Sequence, residues 1–104
     1  MLPEIIEKRD AIATICRRYG VARLEVFGSA AQGVGFDPTR SDADFLVTFE
    51  PAYRNDLSVL LDLQDALERL LGRPVDLLER EAVEASGNYI RRKAILKQAR
   101  TVYG

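Results

Sequence analysis

A leucine-rich segment near the middle of the chain is the feature that most restricts the fold. Leucine recurs at helical spacing across residues 57–71, Asn55 or Asp56 stands where an N-cap belongs, and Gly72 follows as a C-terminal stop. The predicted apolar face of this helix consists of Leu57, Leu60, Leu61, Gln64, Leu67, Leu70 and Leu71. A helix with such a face must be covered by other elements, so the segment has to pack against a sheet or against further helices.

The runs on either side of this helix have strand character. They are Ala43–Phe49 and residues 74–78, and because a helix joins them they can lie parallel through a right-handed crossover. A further strand is predicted over residues 22–27, a helix from Pro3 to a stop at Gly20, and a basic helix over residues 88–99 with Ile90, Ile95 and Leu96 on its apolar side. The predicted order is helix, strand, strand, helix, strand, helix.

This order predicts an α/β or α+β fold, a small mixed sheet flanked by helices. With 104 residues, 47% of them apolar, the chain has material for one core, and we expect a single domain over residues 1–104. No apolar run approaches the length of about 20 residues that a membrane span needs.

Composition excludes several kinds of chemistry. The chain has no histidine and one cysteine, so it cannot build a Ser-His-Asp triad, a histidine-ligated zinc site or a disulfide framework. Catalysis must depend on carboxylates, hydroxyls or cations, and a bound metal must be a hard, oxygen-liganded one. The lone Cys16 is predicted to be a core residue and fits a reducing cytoplasm.

Charge is unevenly distributed along the chain. The net charge of −1 argues against a protein that coats nucleic acid, but residues 36–84 carry −7 and residues 85–104 carry +5. The cations of the tail are Arg91, Arg92, Lys93, Lys97 and Arg100. These side chains suit a solvated helix face. Alternatively, they contact a phosphate ligand or bind an acidic patch on a partner.

Three acidic residues lie at strand positions that can converge. Asp42 and Asp44 are two residues apart at the start of a strand, so their carboxylates share a face. Asp76 interrupts an otherwise apolar strand, where aspartate is unfavourable without a specific role. If the strands adjoin, the three carboxylates can surround one or two divalent cations, which relieve their mutual repulsion.

Gly28 and Ser29 follow the predicted strand 22–27 and suit a phosphate site. Glycine lets the backbone approach a ligand closely, and the N–H groups and hydroxyl after it can bind an anion. Each feature also has a simpler interpretation: Asp42 and Asp44 as the wet face of an edge strand, Asp76 as a loop-facing residue, and Gly28-Ser29 as an ordinary turn. The combination of all three favours a site.

At these residues the sequence resembles the minimal nucleotidyltransferase domains of the DNA polymerase beta superfamily. The resemblance lies in Gly28-Ser29, the pair Asp42-x-Asp44 after a spacer of twelve residues, and the later strand carboxylate Asp76. It implies a polymerase beta-like fold, with Gly28 and Ser29 binding the triphosphate of ATP. It also implies that Asp42, Asp44 and Asp76 are the catalytic carboxylates and hold Mg²⁺.

The small members of this family further resemble the antitoxin half of toxin–antitoxin pairs. That resemblance implies a cytoplasmic enzyme that adenylylates a tyrosine of a partner HEPN-domain toxin and so silences it. Two alternatives stay open: an antitoxin that neutralises by complex formation alone, and nucleotidyl transfer to a small molecule, whose enzymes carry an additional domain for the acceptor. Neither membrane attachment nor direct nucleic-acid binding is expected.

Overall fold

The computed structural model describes residues 2–28 and 43–104, and within them it forms one mixed sheet with helices on both faces. The strands are β1 (Val21–Phe27), β2 (Ala43–Phe49), β3 (Val75–Glu79) and β4 (Arg100–Tyr103). The helices are α1 (Pro3–Glu7), α2 (Arg9–Arg18), α3 (Leu57–Leu71), α4 (Arg80–Glu84) and α5 (Tyr89–Gln98), and a 3₁₀ turn (Pro51–Tyr53) precedes α3. None of the helices in these two ranges has the length and apolar character to cross a membrane.

The strand order is β3-β2-β1-β4, and its one parallel pair among the described strands is the predicted one. β2 and β3 lie parallel and are joined by α3, which confirms the crossover, while β1 pairs antiparallel with both β2 and β4. The α/β class and the mixed sheet flanked by helices are therefore confirmed.

Two apolar clusters, one on each face of the sheet, hold the layers together. On the first face, β1 and β2 pack against α2 and α3, with Ile12, Cys16, Leu63 and Leu67 fully buried. On the second face, a smaller cluster under α4 and α5 contains Phe27, Leu46, Val83 and Ile95. Burial raises the pKa of the Cys16 thiol to about 12, which agrees with the predicted core position.

The ends of α3 follow the sequence signals. The Asp56 side chain accepts a hydrogen bond from the Val59 N–H at 3.2 Å, so Asp56 rather than Asn55 is the N-cap. Gly72 ends the helix in the left-handed region (φ 66°), and its N–H donates to the Glu68 carbonyl.

The predicted apolar face of α3 is partly wrong. Leu57 and Leu61 are 65% and 54% exposed, whereas Leu63, outside the predicted face, is fully buried with Leu67 and Leu71. At 3.6 residues per turn, Leu57 and Leu61 lie roughly 120–160° around the helix from Leu63. The segment carries more leucines than one stripe can bury, so the pattern alone left the choice of stripe open.

Other differences from the prediction concern the two ends of the chain. The single N-terminal helix is divided at Lys8, whose Nζ donates to the Leu70 carbonyl at the end of α3 and lies 3.6 Å from Glu4 Oε1. The short helix α4 and the edge strand β4 were not predicted. The tail helix α5 is confirmed, with Asn88 as its N-cap, but Ile90 is 81% exposed and does not belong to its apolar side.

Candidate active site

One row of residues across the sheet brings two of the predicted carboxylates together. Phe27 on β1 is the register partner of Asp44 on β2, and Asp44 is the partner of Asp76 on β3. Because register partners project from the same face, both carboxylates lie on the face that also carries Phe27 and Leu46. Neighbouring strands are about 4.8 Å apart, so the two acidic side chains start from adjacent positions.

Gly28 stands at the end of β1 beside this row, where a side chain would crowd Asp44. Its φ is +70°, and a Cβ built on it would lie 3.0 Å from Asp44 Oδ2. The carboxylate of Asp44 therefore lies directly over the glycine backbone. Absence of a side chain at Gly28 is what lets the turn and the carboxylate come this close.

The two carboxylates differ in their surroundings. Asp44 is half-buried and takes part in a polar interaction, whereas Asp76 is exposed on the edge strand. Asp76 was expected in an otherwise apolar strand. Its neighbours Val75 and Leu77 are buried on the other face of the sheet, and the side chain of Asp76 points away from them and is exposed. An acceptor group can therefore approach Asp76 from solvent.

The remaining predicted site residues, Ser29 and Asp42, lie outside the described residues, as does the whole connection 29–42. Within residues 2–28 and 43–104 no cluster of three or more acidic or cysteine side chains forms a metal site. The observed pair, Asp44 and Asp76, supplies hard oxygen donors from adjacent strands, which is the donor chemistry that Mg²⁺ takes.

A buried ion pair lies on the same face, further along β1. Glu25 is 4% exposed, and its Oε1 accepts a hydrogen bond from Arg80 Nη1 at 2.6 Å. Arg80 is the first residue of α4, so this contact fixes α4 against the sheet. Sequence reasoning missed the pair, although a glutamate within the apolar strand Val21–Phe27 was a signal for it.

Some of the tail cations donate hydrogen bonds to nearby backbone carbonyls. Arg92 donates to the carbonyls of Glu84 and Ser86, and Arg100 donates to those of Lys97, Gln98 and Ala99. A cavity of about 190 Å³ between β3, α4 and α5 is lined by Leu78, Val83, Ile95 and the guanidinium-bearing Arg91 and Arg92.

Replacing Gly28 with alanine is expected to displace the Asp44 carboxylate, with Gly72→Ala as the matched control. Both glycines have left-handed φ, +70° and +66°, so each alanine costs about 1–2 kcal/mol of backbone strain. A Cβ at Gly72 meets nothing within 4 Å, whereas one at Gly28 meets Asp44. We expect comparable urea denaturation losses, but a shifted NMR resonance of the Asp44 carboxyl carbon in Gly28→Ala alone. An unshifted resonance in both variants would contradict the close contact.

Comparison with known proteins identifies the class of enzyme to which this fold belongs. The chain belongs to the nucleotidyltransferase domain family, whose model matches residues 8–100. The resemblance to nucleotidyltransferases that the motif indicated is thereby confirmed.

Two named relatives are more specific. The chain is 32% identical over 82 residues to a candidate protein adenylyltransferase of Methanocaldococcus jannaschii, covering 79% of this chain and 78% of the relative. It is 37% identical over 68 residues to the protein adenylyltransferase MntA of Thermococcus cleftensis, covering 65% of each.

Solved structures share the fold over most of the chain. One, described as a candidate minimal nucleotidyltransferase, superposes with a TM-score of 0.71 at 33% identity over 92% of this chain and 90% of that one. Another is the tri-AMPylated Shewanella oneidensis HEPN toxin in complex with MNT antitoxin, with a TM-score of 0.63 at 18% identity, covering 96% and 72%. The second similarity extends to the fold alone.

Proposed function

We propose that this protein is a Mg²⁺-dependent adenylyltransferase antitoxin, which transfers AMP from ATP to a tyrosine of a HEPN-domain toxin. The observation that carries the proposal is the register pairing of Asp44 with Asp76 on one face of the sheet, next to Gly28. The names of the two adenylyltransferase relatives support the same activity.

The proposed site has two ends. Gly28 and Ser29 bind the triphosphate of ATP, where a backbone without a side chain admits phosphate oxygens closely. Asp42, Asp44 and Asp76 form the acidic end, and we assign all three as ligands of the metal. Bound Mg²⁺ neutralises charge on the phosphates and on the leaving pyrophosphate.

The residues of the chain position the reactants and move one proton. The tyrosine oxygen of the acceptor attacks the α-phosphorus of ATP and forms a new O–P bond. The bond from that phosphorus to the bridging oxygen breaks, and pyrophosphate leaves with the bonding electrons. Asp76, exposed on the edge strand, accepts the phenolic proton. Alignment and electrostatic stabilisation provide most of the rate enhancement.

A partner is part of the proposal because transfer of AMP to a protein requires a surface that presents the tyrosine. We propose residues 1–104 as a single domain that acts in the cytoplasm and borrows the acceptor surface from the toxin in a hetero-complex. Support comes from a fold neighbour whose described complex joins an MNT antitoxin to an AMPylated HEPN toxin. Added bulk and negative charge at a ribonuclease site would block its RNA substrate.

The test is label transfer within the purified pair. This protein and the product of its neighbouring reading frame, selected for an Arg-x₄-His motif, are incubated with α-labelled ATP and Mg²⁺. We expect label on a tyrosine of the partner, identified by mass spectrometry, and its loss when EDTA removes the metal. No label despite a stable complex would refute catalysis and favour neutralisation by binding alone. Equal labelling in the presence of EDTA would refute the dependence on Mg²⁺.

A further inference from the structure

The start of α5 presents an apolar surface surrounded by cations. Ile90 and Tyr89 are 81% and 59% exposed, and Arg92 and Lys93 lie over the Tyr89 ring at 5.4 and 5.9 Å from its centroid. Arg91 and Lys93 make no ion pair with any part of the described chain. We call Tyr89, Ile90, Arg91 and Lys93 the basic patch. Exposed apolar side chains ringed by unpaired charge indicate a contact surface.

A surface of opposite charge lies along the free edge of the sheet. β3 is an edge strand, and a groove of about 460 Å³ runs beside it, with Leu60 and Leu77 as apolar lining and Glu79 and Glu81 as carboxylates. We call this surface the acidic groove. Residues 43–84, which contain it, carry ten acidic and four basic side chains. The exposed Leu57 lies on α3, about one turn before Leu60.

The two surfaces adjoin each other. The cavity beside Arg91 and the acidic groove share Leu78, Glu79 and Ala82 in their linings, so they flank the junction of β3 with α4. Neighbouring patches of complementary charge on one side of a molecule suit a two-fold dimer. In such a dimer each patch contacts the opposite patch of the other copy, and both contacts form at once.

We propose that two copies of this chain associate about a two-fold axis, with the basic patch of each seated in the acidic groove of the other. Tyr89 and Ile90 pack on the apolar lining of the groove at Leu60. Arg91 and Lys93 face Glu79 and Glu81, the second of which also pairs with Arg54 at 3.3 Å within its own chain. The proposal uses none of the catalytic residues and stands independently of the proposed function. Charge pairs at the rim supply orientation, and the buried apolar side chains supply most of the affinity.

Sedimentation equilibrium of the purified chain tests the association. We expect a concentration-dependent monomer–dimer equilibrium that weakens several-fold between 0.1 M and 0.5 M salt, since screening acts on exposed charge pairs. Ile90→Ser is expected to raise the dissociation constant at least about tenfold, in line with loss of an interface anchor. A chain that stays monomeric at all concentrations would overturn the proposal, and so would a dimer indifferent to Ile90→Ser.

A charge exchange makes the test specific to these two surfaces. Arg91→Glu/Lys93→Glu and Glu79→Lys/Glu81→Lys should each be monomeric alone, because both contacts of each homodimer then oppose like charges. Mixed in equal amounts, the two variants should form a heterodimer, because both of its contacts pair opposite charges. Arg17→Glu/Arg18→Glu on α2, packed on the other face of the sheet, is the matched control and should dimerise like the natural chain. No heterodimer on mixing would refute the assigned pairing.

Discussion

Asp44→Asn is expected to reduce AMP transfer to the partner by at least about 100-fold while the chain stays folded. Asparagine has nearly the same shape as aspartate but lacks the negative charge that holds a divalent cation, so the pairing of β2 with β1 and β3 should persist. The measurement is the initial rate of label transfer from α-labelled ATP, beside circular dichroism to confirm the fold.

Asp62→Asn is the matched control for this substitution. Asp62 is exposed on α3, and its replacement removes the same charge far from the paired strand carboxylates. The transfer rate of this variant should therefore stay within about twofold of that of the natural chain. Transfer at the natural rate by Asp44→Asn would refute the assignment of the site. Lost transfer with undiminished neutralisation of the toxin in cells would show that binding alone protects the cell.

Arg80→Met is expected to destabilise the fold by about 3–5 kcal/mol, because it leaves the buried Glu25 carboxylate without its 2.6 Å partner. Arg23 also lies near Glu25, at 3.8 Å, but it is half-exposed and its Nη2 donates to Thr101 Oγ1. The measurement is the free energy of unfolding from urea denaturation.

Two further variants distinguish the effect of the buried ion pair on stability from the effect of surface charges. Glu84 also lies near Arg80, at 3.6 Å, but its side chain is half-exposed, so Glu84→Gln should cost no more than about 1 kcal/mol. Glu25→Met/Arg80→Met removes both charges, and this double variant should be more stable than Arg80→Met alone. If the double variant is less stable than Arg80→Met alone, an unpaired buried charge is not the cause of the destabilisation.

The sequence was sufficient for the central part of the fold because several local signals agreed there. The cap at Asp56, the stop at Gly72 and strand-like runs on both sides of α3 left a parallel crossover as the simple arrangement. The class of sheet followed from that crossover. These signals are local in sequence, and tertiary packing did not overrule them.

Where the prediction failed, the deciding contacts are distant in sequence. The first helix is divided at Lys8, whose side chain donates to the Leu70 carbonyl, 62 positions away. β4 pairs with β1 through Arg100, Thr101 and Tyr103, and although Thr, Val and Tyr favour strands, a run of four residues is too short to predict a strand by itself. Ile90 is exposed because it lies about 140° around α5 from Ile95, on which the packing of this helix against the sheet centres.

The part of the candidate site that could be predicted is the part in which strand position determines the face to which a side chain points. Asp44 and Asp76 were expected on adjoining strands, and the structure makes them register partners. The exposure of Asp76 was not predictable, since it depends on β3 being an edge strand. The roles assigned to Gly28, Ser29, Asp42, Asp44 and Asp76 stay predictions until the substitutions are measured.

The pairing of Asp44 with Asp76 has a consequence for how such enzymes diverge. Backbone amides and carbonyls hold β2 to β3, and these groups are the same whatever side chains the strands carry. The strand alignment therefore sets the separation between the two acidic groups, and replacements elsewhere in the fold would leave it unchanged. A fold shared with a protein of 18% identity is what such tolerance would produce.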